Sequence, residues 1–299
     1  MATHDASPAD ESPQDSPDQH QDQDQNRSAP DRSGHEPGGR PTPYDPVLFA
    51  RRASSFGAVA AAYAEHRPDY PEAAVRWALA PALSAPDATL DVLDLGAGTG
   101  KLTASLLALG HRVTAVEPDA GMLSVLRGHA PGATALTGGA EDIPLPDASV
   151  DAVVVGQAFH WFDQPRALPE IARVLRPGGS LAALWNTDDD RIDWIAELGR
   201  IAGSRVSFVD WNSERGIDAH PAYSPVEHAD FPHRQRRTVD SLIATVATHS
   251  HILVLEPAEQ AEVLGQVREL LRSRPETSGS GGFDLEIVTR AQRCVRTAG

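Results

Sequence analysis

Asp94, Gly96, Gly98 and Gly100 fall within Asp94-Leu95-Gly96-Ala97-Gly98-Thr99-Gly100, where a strand-like run gives way to a helical one. Glycines at that spacing let a ligand approach the backbone, and a helix N-terminus brings unpaired N–H groups to the same place. Three kinds of cofactor use such a loop. A phosphate-binding loop requires G-x-x-x-x-G-K-[ST]. Gly100-Lys101 fits it, but positions 95 and 102 are both Leu, and the pattern fails. A dinucleotide fingerprint requires G-x-G-x-x-G. Gly96 and Gly98 fit, whereas Lys101 stands where the third glycine belongs, which weakens that reading without excluding it. The remaining spacing, G-x-G-x-G after a strand that carries an acid, suits S-adenosylmethionine. Its amino-acid end is zwitterionic and there is no pyrophosphate to cradle.

Three further groups could do chemistry beside that loop. Glu117, followed by Pro118, ends the next strand-like run 21 positions after Gly96. A carboxylate there can accept from both hydroxyls of a ribose, which fits a nicotinamide or a sulfur nucleoside equally. Ala140, Glu141 and Asp142 follow the third run; a short acidic loop can accept from an adenine amino group, and Ile143 would offer an apolar face. Gln157-Ala158-Phe159-His160-Trp161-Phe162-Asp163 follows the fourth run and sets an amide, an imidazole and large aromatics beside the same cleft. Aromatic faces attract a sulfonium by about 0.5–2 kcal/mol. His160, with an ordinary pKa of about 6.5, is by position the candidate base for a hydroxyl, amine or acidic-carbon acceptor.

The elements that must position these groups alternate. Residues 89–96, 111–117, 133–138, 151–156 and 180–186 read as strands, with the run at 133–138 the weakest. Residues 101–110, 120–127 and 166–175 read as helices between them, and Pro177-Gly178-Gly179 as the turn into the fifth strand. The Val153-Val154-Val155 run suggests burial on both faces. Right-handed βαβ crossovers then predict a doubly wound α/β fold with a mostly parallel sheet, whose ligands bind at the carboxyl ends of the strands. Upstream, Ser54 and Ser55 are candidate caps for a helix bearing Phe56, Val59 and Tyr63, and Pro71 suits the first position of a helix over 71–83. Beyond residue 191 the pattern weakens. Helices are predicted over 193–202, 239–248 and 257–272, and residues 283–295 read as a closing strand pair. Arg234-Gln235-Arg236-Arg237 reads as a solvated strand or loop end, or as a patch facing an acidic substrate. His220, His228, His233, His249 and His251 lack a metal-binding spacing, and surface positions are expected for them; no metal site is predicted.

Composition narrows the setting. The chain has 299 residues, 40% hydrophobic and 23% charged, enough for a sizeable core. A net charge of -16 argues against sequence-independent nucleic-acid binding, and Lys101 is the single lysine. One cysteine, Cys294, excludes an intrachain disulfide or a Cys-rich zinc site and suits a reducing cytoplasm. No apolar stretch reaches the ~18–20 residues of a membrane span, and the N-terminus lacks a secretory signal pattern. In residues 1–46, eight Asp and two Glu against three Arg leave a net charge of -7, and such a segment reads as a disordered acidic tail. Residues 47–299 remain for the folded domain.

Taken together, VLDLGAGTGKLT, AVEPD, GGAEDIPLPDASVD, VVGQAFHWFD and EIARVLRPGGSLAALWN resemble the class I S-adenosylmethionine-dependent methyltransferases. The likeness is to the small-molecule branch that includes trans-aconitate and ubiquinone/menaquinone-type enzymes. It covers roughly residues 56–186 strongly and the C-terminal third weakly. It implies that Asp94, Gly96, Ala97 and Gly98 surround the amino-acid end of the cofactor. Glu117 and Pro118 would meet the ribose, and Ala140, Glu141 and Asp142 the adenine. Gln157 to His160 would line the methyl end. The lead-in Tyr63-Ala-Glu-His-Arg67-Pro-Asp-Tyr70-Pro is also similar to the family's N-terminal segment, which implies that Tyr63 and Arg67 close over the cofactor, Arg67 pairing with its carboxylate. The implied core is about 85–190, with the acceptor side at about 191–299. A nicotinamide-dependent oxidoreductase and a non-enzymatic S-adenosylmethionine binder stay open as alternatives.

Overall fold

The computed structural model describes residues 68–299 except 86, 205–207, 210–215, 280 and 298–299. The predicted helix at 54–63, the tail, and the two candidate site residues Tyr63 and Arg67 lie outside the described residues.

Seven strands form one sheet in the order β3-β2-β1-β4-β5-β7-β6. The first five in that row, β3 (Thr134–Leu136), β2 (Arg112–Val116), β1 (Asp91–Leu95), β4 (Val150–Gly156) and β5 (Leu175–Asp188), run parallel. β7 (Phe283–Val295) pairs antiparallel with β5, and β6 (Glu227–Arg237) antiparallel with β7. The doubly wound, mostly parallel architecture is as predicted. Successive side chains leave a strand on opposite faces, and each face of the central strands is covered. On one face Leu93, Leu95, Val153, Val155, Leu181 and Ala183 pack beneath Ile171 of helix α4 (Gln164–Val174). On the other, Val92, Val154, Ala182 and Leu184 meet Val75 and Leu79 of α1 (Glu72–Leu79) and Leu102 and Leu106 of α2 (Lys101–Ala108). Helix α3 (Ala120–His129) follows β2.

A third apolar cluster lies apart from these. Trp194 and Leu198 of α5 (Asp193–Ile201), Leu242 and Val246 of α6 (Val239–Ala247) and Val267 and Leu271 of α8 (Pro257–Ser273) pack on Phe283, Leu285 and Ile287 of β7. The short α7 (Ser250–Leu253) joins α6 to α8. The helices read over 193–202, 239–248 and 257–272 are therefore present, and they cover the leading half of β7. Among the described residues, no helix is long and apolar enough to cross a membrane.

Three expectations change. Residues 283–295 form one strand, and their second partner is β6, which sequence reading reduced to a basic end at 234–237. The reason is that β6 is an edge strand: His228, Asp230, Pro232, Arg234 and Arg236 are exposed, so its outward face carries no apolar signal. Proline is tolerated there because an edge strand leaves one row of N–H groups unpaired. Next, Pro177-Gly178-Gly179 is a bulge inside β5 rather than the turn before it, since Val150 lies opposite Leu175 and Ala152 already opposite Ser180. Glycine is required in that bulge, because a Cβ on Gly179 would stand 2.7 Å from the Asp151 carbonyl oxygen. Finally, Pro71 caps α1 instead of occupying its first turn.

Candidate active site

β1 delivers the glycine loop to the carboxyl edge of the sheet. Gly96, Gly98 and Gly100 have φ values of 71°, 57° and 89°, a left-handed conformation that a Cβ makes costly. Gly96 is also confined from below, as a Cβ there would lie 2.8 Å from Cβ of Ala158. Around Gly98, among the described residues, the only atom within 4 Å of such a Cβ is Met122 Sδ, at 3.9 Å, so they leave this part of the loop open. The N–H groups expected to be available to a ligand are engaged inside the protein. Gly96 and Ala97 donate to the Val116 carbonyl at 2.9 and 3.1 Å, Gly100 to that of Ala97 at 3.0 Å, and Gly98 to Glu117 Oε2 at 2.9 Å. The loop conformation is thus stitched to β2 before anything binds.

Glu117 is 7% exposed and does two things at once. Besides Gly98, it accepts from Asp119 N at 2.9 Å through Oε1. A carboxylate has about four lone-pair sites, so two remain for hydroxyl donors. Burial raises its pKa, and the two backbone N–H groups oppose that shift. Pro118 beside it is exposed. Asp119 in turn caps α3 by accepting from Met122 N at 2.7 Å, which sets the thioether against the loop.

Asp94 is buried at 1% exposure, one residue before the end of β1. Its Oδ2 accepts from the Thr103 hydroxyl at 2.5 Å, whereas Oδ1 is buried with no hydrogen bond among the described residues. Its pKa is pushed up to about 7, first by burial and then by the charge of Glu117, against the Thr103 bond. A buried acceptor without a donor costs about 1–3 kcal/mol, so a cationic or N–H-bearing ligand at this end of the loop would relieve it. The open loop at Gly98, the orphaned oxygen of Asp94 and the spare lone pairs of Glu117 together fit the ammonium and ribose of a sulfur nucleoside.

The loop after β3 is more structural than its sequence suggests. Ala140 and Ile143 are buried in the core, and Asp142 is exposed. Glu141 Oε1 accepts from Asp163 N at 2.9 Å, tying this loop to the start of α4. Arg173 holds the rest, donating to the Ile143 and Leu145 carbonyls at 3.0 and 2.8 Å and pairing with Glu170 at 2.7 Å.

After β4 the aromatic run divides. Phe159 is fully buried against Trp185, and Phe162 lies under Gly96, with its Cζ 3.6 Å from the position of a Cβ there. Trp161 is 44% exposed, and its ring lies 4.8 Å from that of His160, which is also exposed. Gln157 takes φ 59°, unusual for a residue with a side chain and of the order of 1–3 kcal/mol in strain. It is held there by its N–H on the Leu184 carbonyl and its Nε2 on the Asn186 carbonyl, both 2.9 Å. Sequence reading missed Met122, Thr103 and Asn186. Each is an ordinary residue on a helix or strand, and only its contact with the loop or with the end of β4 marks it. Among the described residues no cluster of His, Cys, Asp and Glu is arranged to hold a metal ion.

A methyltransferase-domain family model matches residues 93–183, from β1 into β5. An uncharacterized methyltransferase of Mycobacterium tuberculosis is 44% identical over 243 residues, covering 81% of this chain and 94% of that protein. A ubiquinone/menaquinone biosynthesis C-methyltransferase of Rubrivivax gelatinosus is 42% identical, but over 107 residues only, 34% of this chain and 41% of its own length. A solved structure described as a candidate type II methyltransferase from Anaeromyxobacter dehalogenans superposes with a TM-score of 0.58 at 29% identity, covering 77% of this chain and 97% of that one. This chain belongs to the class I S-adenosylmethionine-dependent methyltransferases and is a methyltransferase enzyme.

Proposed function

We propose that the enzyme moves the methyl group of S-adenosylmethionine to a small-molecule acceptor by in-line displacement. The observation that carries this reading is the convergence, at the carboxyl ends of β1 and β2, of the left-handed glycine loop, the buried Glu117 and Asp94 Oδ1, which has no partner among the described residues. In this reading Asp94, Gly96, Ala97 and Gly98 surround the amino-acid end, Glu117 and Pro118 meet the ribose, and Met122 with Ala140, Glu141 and Asp142 borders the adenine. Gln157 to His160 line the methyl end, with Trp161 offering its open face. Tyr63 and Arg67 close over the cofactor as the family likeness implies. When bound, the sulfonium supplies an already activated methyl group. The protein's contribution is alignment, worth roughly 7–11 kcal/mol at its best. Residues 47–299 act as the enzyme domain behind an acidic tail at 1–46, and a cytoplasmic location accords with the lone Cys294.

Calorimetric titration with S-adenosylmethionine, S-adenosylhomocysteine and NAD(H) tests this reading. Binding of the sulfur nucleosides alone is expected. Glu117→Ala should weaken it about 10- to 100-fold, as a lost charged hydrogen-bond acceptor costs about 1.5–3 kcal/mol. A preference for NAD(H), or unchanged affinity in that variant, overturns the assignment.

A further inference from the structure

The face of the sheet that carries α1 and the C-terminal helices has a polar seam between its two apolar clusters. On this face β5 presents Asn186 and Asp188, β7 presents Thr289, and β6 presents His233, as the register Asn186↔Thr289↔Phe231 and Asp188↔Ile287↔His233 requires. The seam is a hydrogen-bonded chain. Asn186 Nδ2 donates to the carbonyls of Pro68 and Asp69 at 3.3 and 3.2 Å. Asn186 Oδ1 accepts from the Thr289 hydroxyl at 2.5 Å, and Thr289 Oγ1 lies 3.0 Å from His233 Nε2. The same Asn186 receives Gln157 Nε2 on its backbone carbonyl, which joins the seam to the methyl end of the site.

Donor counting sets the protons along this chain. The Asn186 amide gives its hydrogens to two carbonyls, so its oxygen is the acceptor toward Thr289. A hydroxyl has one hydrogen, and that of Thr289 is committed to Asn186. His233 Nε2 must therefore donate to Thr289, and in the neutral ring Nδ1 is left with the lone pair. Nδ1 has no hydrogen bond among the described residues. Burial also lowers the pKa of His233, favouring the neutral ring, while Asp69 opposes that shift. The charged groups around it are Asp69 from the lead-in, itself paired with Lys101 Nζ at 2.8 Å, Asp188 from β5 and Arg237 from its own strand. Next to His233, β7 contributes Thr289, Ile287 and Leu285, none of them charged; its Arg293 lies further along this face, over Trp77.

We propose that His233 Nδ1 is the base for the methyl acceptor, and that the acceptor is a neutral, weakly acidic hydroxyl of the phenol or enol type. This rests on the methyltransferase reading above. As the acceptor oxygen forms its bond to the methyl carbon, the carbon–sulfur bond breaks and leaves its pair on sulfur, giving the thioether. The hydroxyl proton passes to Nδ1, and Asp69 steadies the imidazolium until water removes the proton. A weakly basic imidazole suits a hydroxyl whose acidity rises during transfer.

The test uses the full chain labelled with 15N-histidine, saturated with S-adenosylhomocysteine, and 4-nitrophenol as a coloured hydroxyl probe. His233→Gln is the paired variant: its amide nitrogen replaces Nε2 toward Thr289, while the base nitrogen is gone. At pH 7 the wild-type Nδ1 resonance should be that of an unprotonated nitrogen, and it should move when the phenol is added. Phenolate colour should appear below the phenol's own titration range. His233→Gln should bind S-adenosylhomocysteine within twofold of wild type and lose the colour response at least tenfold. A proton on Nδ1 at pH 7, the same colour in both proteins, or no response to the phenol in the wild-type complex overturns the proposal. Failure of S-adenosylhomocysteine to bind wild type would instead overturn the cofactor reading.

Discussion

The half of the molecule from β1 to β4 and the half built on β6 and β7 follow different logic. From β1 to β4 the key residues sit on short turns directly after strands, within one stretch of chain. In the glycine loop the hydrogen-bonded partners are near in sequence, Gly98 and Glu117 being 19 residues apart. Along β5, β7 and β6 the polar residues stand on strand faces, and their partners are remote: Thr289 is 103 residues from Asn186 and 56 from His233. One half is a set of local motifs on a rigid frame. The other is an assembly that exists only once β6 and β7 have paired.

Trp194→Ala should produce the largest effect that separates the halves. Trp194 is 4% exposed and meets Phe283 edge-on at 5.8 Å. Truncation should cost about 3–5 kcal/mol, seen as a lower Tm. Affinity for S-adenosylhomocysteine, measured well below that Tm, should change less than twofold. A parallel loss of affinity would show that the halves form one cooperative unit. Gly96→Ala attacks the other side of the comparison. It forces a left-handed backbone worth roughly 1–2 kcal/mol and presses a methyl group on Ala158, a further 1–3 kcal/mol or so of overpacking. Here cofactor affinity should fall along with Tm. Wild-type affinity in this variant would remove the loop from the site.

Asp94→Asn should have the smallest effect and the most specific signature. Asp94 has a pKa raised to about 7, so its neutral form is favoured in the folded state. The stability that the proton brings is fully present below the unfolded carboxylate range and is lost as pH rises through about 7. The ligand-free wild-type Tm should therefore fall from about pH 4 to about pH 7 relative to that of Asp94→Asn, and run parallel to it above that. Parallel Tm profiles for the two proteins would show that Asp94 is not the group responsible.

Much of the cofactor side was legible beforehand because glycine, proline and strand-end acids act locally. Gly96, Gly98 and Gly100 announce a left-handed turn whatever surrounds them, and the Val153–Val155 run marks a strand buried on both sides. Glu141 and Phe162 were legible as residues but not as roles. Their type and position allow a ligand contact, yet one ties a loop to α4 and the other packs beneath Gly96. β6 was legible only at 234–237, as a strand or loop end, since an edge strand with charged residues outward and Phe231, His233 and Gln235 inward carries almost no alternation of hydrophobicity.

By itself, then, the amino-acid sequence determined the order of strands and helices through residue 190, the glycine turn, the acid that answers it, and the family. Those depend on backbone conformation and hydrophobic period, which are properties of neighbours in the chain. The tertiary structure decided which way the last two strands pair, that the N–H groups of Gly96, Ala97, Gly98 and Gly100 are already taken, and that His233 meets Thr289. Each of these depends on donors and acceptors that meet only when strands far apart in the chain lie side by side.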